Sequence, residues 1–144
     1  MASTKFVVEA VVLDPAGQVL LVRQGWMRHD WELPGGHVKK RESAMEAVIR
    51  EVSEETGLTV LPERLLAVFH IREEKFHDFV FVCRLVEPAA APRPNPPEIA
   101  ACGFFAFDAL PSPIRPFTVA RIREALEGVT HALPIELEPG EWID

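Results

Sequence analysis

Residues 36–58 constrain this chain most, because glycines and charged residues recur there at fixed steps around one predicted helix. Pro34-Gly35-Gly36 is a turn pattern, and two adjacent glycines allow another backbone or a ligand to approach closely. Ser43, with a glutamate three residues later, is typical of a capping box and predicts where a helix begins. Gly57 stands where a glycine ends a helix, so we predict a turn followed by a helix over residues 43–56.

The predicted helix separates an apolar stripe from a crowded acidic face. The stripe, which we expect to face the core because successive helical residues rotate by about 100°, consists of Met45, Ile49, Val52 and Thr56. Glu51, Glu54 and Glu55 lie at i, i+3 and i+4 and therefore share another face. They repel one another, and they lie near a helix C-terminus that also disfavours negative charge. Clustered oxygen ligands are what Mg²⁺ and Mn²⁺ prefer, so these acids predict a divalent-metal site.

This spacing resembles the Nudix box, G-x5-E-x7-R-E-U-x-E-E-x-G-U, in which U is an aliphatic residue. Every position matches, and the matching residues are Gly36, Glu42, Arg50-Glu51, Val52, Glu54-Glu55, Gly57 and Leu58. The resemblance covers roughly residues 5–127, with weaker support at 98–111. It implies a Nudix hydrolase, in which this segment forms a loop-helix-loop that binds divalent metal and cleaves a diphosphate bond.

The resemblance also implies roles for individual residues. The expected ligands of Mg²⁺, or alternatively of Mn²⁺, are Glu51, Glu54, Glu55 and the carbonyl oxygen of Gly35. Arg50 is expected to orient the glutamates through fork-like ion pairs. Gly36 and Glu42 are expected to support the ligands from behind, and direct metal ligation by Glu42 is the alternative.

A carboxylate must accept the proton of the attacking water. Glu54 is the first candidate for this general base, so the expected catalytic residues include Glu54 and Arg50. Glu98 is the second candidate, because the family often places an acid there that enters the metal site. The alternative for Glu98 is a solvated residue that follows the proline-rich loop.

Three residues of the loop before the glycines are weaker candidates for substrate binding. Trp26 has an aromatic face that suits a nucleobase, and Arg23 and Arg28 suit phosphate groups. The structural alternatives are local packing of the hairpin loop for Trp26 and surface exposure for the two arginines.

Length and composition restrict the class of protein. The 144 residues predict a single domain, 1–144, and the net charge of −7 argues against nonspecific binding to nucleic acid. The sequence has neither an apolar run of membrane-spanning length nor a cleavable signal pattern, so we expect no membrane partner. Cys83 and Cys102 lack metal-site spacing, which favours reduced thiols and a cytoplasmic location.

The hydrophobic pattern predicts strands at 5–13, 19–22, 31–33, 61–71, 76–86 and 99–107. The segment 88–97 holds five prolines and predicts a stiff loop. A second helix is predicted at about 117–127, and the tail after Thr130 has no clear signal. This order predicts an α/β fold of the α+β type, with a mixed β-sheet sandwiched between helices.

The expected function is therefore metal-dependent hydrolysis of a diphosphate bond in a nucleoside diphosphate linked to a further group, X. The expected partner is a small nucleotide-type substrate, and the family resemblance is compatible with a homodimer. The alternative is a non-catalytic, Nudix-like nucleotide sensor. Such sensors typically lack residues of the box, whereas this box is intact.

Overall fold

A computed structural model describes residues 4–26, 29–138 and 140–142 of the chain. Within these residues the protein forms one eight-stranded sheet, two α-helices and a short 3₁₀ turn at Phe107–Ala109. The strands are β1 (Lys5–Leu13), β2 (Val19–Gln24), β3 (Trp31–Glu32), β4 (Gly35–His37), β5 (Val60–Ile71), β6 (Phe76–Leu85), β7 (Ile99–Phe105) and β8 (Ile135–Leu137). The helices are α1 (Ala44–Thr56) and α2 (Pro116–Glu127).

Strand β1 lies at the centre of the sheet. It pairs in parallel with β6 along its whole length, from Lys5 opposite Phe76 to Leu13 opposite Arg84. On its other side it pairs antiparallel with β4 and, at its end, with β2. Strands β5 and β6 form an antiparallel hairpin, and β7 and β3 both pair with β2. Residues 8 and 10–12 of β1 have no exposed surface, so burial on both faces explains its nearly continuous apolar sequence.

Each helix covers one face of this sheet. On one face, Val8, Ala10 and Val12 of β1 belong to an apolar cluster with Val48 and Val52 of α1. The alternate residue Val11 belongs to a second cluster on the opposite face, with the α2 side chains Phe117 and Ile122 among its members. Successive strand residues point to opposite faces, so one strand supplies both cores. The predicted mixed sheet between helices is confirmed.

The sequence signals for the ends of α1 are also confirmed. The Ser43 hydroxyl oxygen accepts a hydrogen bond from the Glu46 backbone N–H at 3.0 Å, and Glu46 accepts one from the Ser43 N–H at 2.9 Å. This is the reciprocal capping box, which satisfies two backbone donors at the helix start. Gly57 ends the helix with φ of 75°, a left-handed conformation that glycine adopts without steric cost.

The predicted core stripe of α1 is partly wrong. Met45 is 53% exposed and Ile49 is only partly buried, whereas the buried residues are Ala47, Val48, Val52 and Thr56. The prediction gave weight to long apolar side chains, but the helix packs through the small Ala47, which allows close approach to the sheet. The buried face is therefore rotated by roughly 50° from the predicted one, at about 100° per residue. This rotation brings Glu51 and Glu55 alongside the sheet.

The C-terminal tail contributes structure that the sequence pattern did not indicate. Residues Ile135–Leu137 form β8, which lies parallel to β5 with Ile135 opposite Phe69. Trp142 packs edge-on against Phe76, with ring centroids 5.4 Å apart. Strand β7 ends at Phe105, two residues before the predicted end, because the chain turns into the 3₁₀ segment. Among the helices of the described residues, none is long and apolar enough to cross a membrane.

Candidate active site

The two glycines before α1 bring three elements into close contact. Strand β4 pairs with β1 so that Gly35 lies opposite Glu9 and Gly36 opposite Val8. A Cβ atom on Gly35 would lie 2.1 Å from the carbonyl oxygen of Val8, inside the neighbouring backbone. A Cβ atom on Gly36 would lie 2.6 Å from the carboxyl carbon of Glu51. Glycine at position 36 therefore leaves the space that the Glu51 carboxylate occupies.

Arg50 connects the glutamates of α1 to the loop before the helix. Its guanidinium donates to both oxygens of Glu42, at 2.7 and 2.9 Å, in a bidentate pair. The Nη1 atom donates to Glu51 at 2.9 Å and to Glu54 at 3.2 Å, and Nη2 donates to the carbonyl oxygen of His37 at 3.0 Å. These bonds hold the pKa of Glu42 at about 2 and raise the pKa of Arg50. One cation thus fixes three carboxylate side chains.

Glu55 is the most deeply buried carboxylate of the cluster. Burial raises its pKa to about 8, and the negative charges of Glu51, Glu32 and Glu98 add to that rise. The backbone N–H of Gly35 donates to Glu55 Oε1 at 2.9 Å, and this hydrogen bond lowers the pKa of Glu55, which partly offsets the effect of burial. The charges of three other acids therefore act on the Glu55 carboxylate, which lies between α1 and β4.

This cluster has the chemistry of a site for a hard divalent cation. Its donors are carboxylate and carbonyl oxygens, which suit Mg²⁺ or Mn²⁺. In the part of the chain that the structure describes, no three acidic, His or Cys side chains converge on one point as metal ligands. The carboxylates of Glu51 and Glu54 instead each accept a hydrogen bond from Arg50. The residues fit a divalent cation in the chemistry of their donors, and ligation would require the Glu51 and Glu54 carboxylates to turn away from Arg50.

The other predicted site residues that the structure describes lie outside the Arg50 network. Glu98 is exposed, and its backbone carbonyl oxygen accepts a hydrogen bond from the Gly25 N–H at 2.8 Å. The negative charge of Glu98 contributes to the raised pKa of Glu55. Arg23, near the end of β2, donates to the carbonyl oxygen of His29 at 3.0 Å, in the loop that follows this strand. Trp26 is 57% exposed. The predicted substrate residue Arg28 lies outside the described residues.

A cavity of about 390 Å³ opens beside β4, and Glu32, Gly35 and Gly36 are part of its lining. It extends from the two glycines of β4 to the α2 face of the sheet, where Glu9, Asp78, Arg115 and Trp142 line it. Neither Arg23 nor Trp26 belongs to this lining. Sequence reasoning missed Glu9 and Asp78, although each is the one acid of a largely apolar strand, and that signal is visible in the sequence.

Comparison with known proteins matches residues 4–126 to the NUDIX domain family. An 8-oxo-dGDP phosphatase of Mus musculus is 32% identical over 122 residues, which cover 83% of this chain and 38% of the relative. The crystal structure of an ADP-ribose pyrophosphatase from Streptococcus suis is similar with a TM-score of 0.73 and 27% identity, covering 94% of this chain and 100% of that one. The structure of a UDP-X diphosphatase is similar with a TM-score of 0.72 and 28% identity, covering 96% and 68%. The chain spans only 25% to 44% of the length of the first curated relatives.

Proposed function

Because the chain belongs to the Nudix family, we propose that it is a divalent-metal-dependent hydrolase of a nucleoside diphosphate linked to a further group, X. Water attacks one phosphorus atom, the bridging P–O bond breaks, and each product carries a phosphate group. The similar proteins are named for 8-oxo-dGDP, ADP-ribose and UDP-X. Each of these names contains a nucleoside diphosphate, which supports a small nucleotide-type substrate.

The arrangement around Arg50 is the observation that carries this proposal. Its guanidinium holds Glu42, Glu51 and Glu54 at 2.7 to 3.2 Å, next to the buried Glu55. A helix selected only for stability would not crowd these acids near its C-terminus. A site that binds and orients reactants needs side chains in fixed rotamers, and hydrogen bonds from neighbouring groups provide this.

Glu51, Glu54, Glu55 and the carbonyl oxygen of Gly35 would hold the cation. When bound, a divalent cation lowers the pKa of water and offsets negative charge on the phosphate groups. Glu42 supports the ligands through Arg50, since its bidentate pair fixes the guanidinium that also donates to Glu51 and Glu54. The acidic net charge of −7 is compatible with a phosphate substrate because the cation neutralises the site locally.

Glu54 is the proposed general base, and Glu98 is the alternative. The Glu54 side chain is 50% exposed and makes a single 3.2 Å bond to Arg50, so one of its oxygens is available to accept a proton from water. Glu98 approaches the cluster from the loop before β7, because Gly25 allows its backbone to pack closely. We also propose a cytoplasmic location. Cys83 and Cys102 are both free thiols, which supports a reducing compartment.

Phosphate release from a panel of substrates tests this function. The panel comprises nucleoside triphosphates and diphosphates, ADP-ribose, NADH, nucleotide sugars and dinucleoside polyphosphates, with phosphatase coupling where a product needs it. Each substrate is assayed with Mg²⁺, with Mn²⁺ and with EDTA. We expect turnover that requires the cation, and a kcat that is reduced at least about 100-fold in Glu54→Gln.

The matched control is Glu87→Gln, which removes one exposed carboxylate outside the cluster and should retain wild-type kcat. Turnover in EDTA, or a Glu54→Gln variant as active as the control, would contradict the proposal. Absence of turnover on every substrate, with melting temperatures still raised by nucleotides, would favour a binding protein without catalysis.

A further inference from the structure

The cavity beside the proposed metal site has a polar floor made by two acids. Val7 on β1 lies opposite Asp78 on β6, and Glu9 follows two residues later on the same face. Asp78 has no exposed surface, and neither of its carboxyl oxygens makes a hydrogen bond of normal geometry with the described residues. Glu9 Oε2 is likewise buried without such a bond. Two neighbouring acids that line a cavity in this way are unusual inside a protein.

This arrangement is costly unless something satisfies the oxygens. A buried polar group without a well-formed hydrogen bond destabilises the folded protein, and adjacent ionised acids also repel one another. Burial and the neighbouring Glu9 raise the pKa of Asp78 well above its usual range, although Arg115 and Trp142 act in the opposite sense. A ligand that brings hydrogen-bond donors into the cavity would therefore satisfy the oxygens of Asp78 and Glu9, which the described residues leave without a well-formed bond.

The walls of the cavity include two aromatic side chains and one guanidinium group. Trp142 packs edge-on against Phe76, and the Arg115 guanidinium lies 4.7 Å from the Trp142 ring centroid. Arg115 also donates to the Trp142 carbonyl oxygen at 3.1 Å, which holds the tail against the domain. Aromatic walls with a few fixed polar groups are typical of sites for small ligands, and about 390 Å³ is within the usual size range.

We propose that this cavity binds the nucleobase of the substrate, and that Glu9 and Asp78 select a base edge with adjacent N–H donors. The substrate class in this proposal rests on the proposed function. The cavity is next to the glutamate cluster, because Gly35, Gly36 and Glu32 line it and Gly35 and Glu32 also act on Glu55. The lactam-amine edge of guanine presents two neighbouring donors, which one carboxylate accepts side by side. Adenine presents one donor beside one acceptor, so it satisfies the two acids less well.

Binding of nucleosides tests this selection without any hydrolysis. Guanosine and inosine differ only by the exocyclic amino group, and neither carries a phosphate that needs a cation. Both are titrated in EDTA, with adenosine alongside, and protein NMR shifts give the dissociation constants. We expect wild-type protein to bind guanosine at least about tenfold more tightly than inosine, because a site built to bond a donor rejects the analogue that lacks it.

The variants Glu9→Gln and Asp78→Asn should each reduce this ratio towards one, while Glu87→Gln should keep it. Glu9 is only partly buried, so its variant tests the proposal even where the Asp78 variant does not fold. Equal affinities for guanosine and inosine in the wild-type protein, or an unchanged ratio in a folded Glu9→Gln variant, would overturn the assignment. Because no cation or turnover is involved, either result is independent of whether the hydrolase activity is present.

Discussion

Replacing Gly36 by alanine should damage activity while leaving stability almost unchanged. The added Cβ would lie 2.6 Å from the Glu51 carboxyl carbon, whereas carbon atoms in contact prefer about 3.5 Å or more. The Glu51 carboxylate must therefore move by roughly 0.9 Å. Because it is the end of a flexible side chain, it can move at small cost to the fold. A displacement near 1 Å in a positioned reacting group lowers rates on the order of 100-fold.

Steady-state kinetics with Mg²⁺ and urea unfolding measure the two effects separately. We expect kcat/KM to fall about 100-fold in Gly36→Ala and the free energy of unfolding to change by less than about 1 kcal/mol. Wild-type kcat/KM in this variant would refute the reasoning that Gly36 exists to accommodate the Glu51 carboxylate.

Two other glycines provide matched controls. Gly17 has φ of 79°, and an added Cβ there would meet no atom of the described residues within 4 Å beyond its chain neighbours. Gly17→Ala should therefore lose about 1 kcal/mol of stability and no activity. Gly35→Ala should destabilise the fold itself, because its Cβ would lie 2.1 Å from a backbone oxygen that cannot move alone. If Gly36→Ala lost as much stability as Gly35→Ala, its loss of activity would only report unfolding.

Three further predictions concern the helix and its acids. Arg50→Lys should lower kcat at least about tenfold, since a single ammonium cannot form the bidentate pair with Glu42; kinetics and an unchanged melting temperature check this. Ser43→Ala should cost about 1 kcal/mol in urea unfolding without loss of turnover. In EDTA, the raised pKa of Glu55 means that its contribution to stability is lost as pH rises from about 4.5 towards about 8. The melting temperature of Glu55→Gln relative to wild type should therefore increase over that range, and a constant difference would contradict it.

Local signals predicted the helices and most strands of this fold. The capping box at Ser43 and the glycine at position 57 set the ends of α1, because both act through hydrogen bonds and dihedral angles of nearby residues. The acids and Arg50 of α1 were predictable for the same reason, since their spacing on one helix fixes which of them share a face.

The remaining features depend on contacts between distant parts of the chain. The buried face of α1 includes the small Ala47, which packs against the sheet. Helical spacing alone does not show which small residue will pack in this way. Strand β8 forms because Ile135 and Leu137 find an open edge on β5. The neighbouring positions of Glu9 and Asp78 follow only from the parallel register of two strands separated by about seventy residues of sequence.

Binding of Mn²⁺, followed by the electron paramagnetic resonance signal of the free ion, most directly tests whether the α1 glutamates form a cation site. Wild type, Glu55→Gln and the control Glu87→Gln are titrated under the same conditions. We predict that wild type and control bind Mn²⁺ with equal affinity, and that Glu55→Gln binds it at least about tenfold more weakly, as expected when a ligand is lost. Equal affinities for all three proteins would contradict a metal site at this cluster and, with it, the proposed hydrolysis.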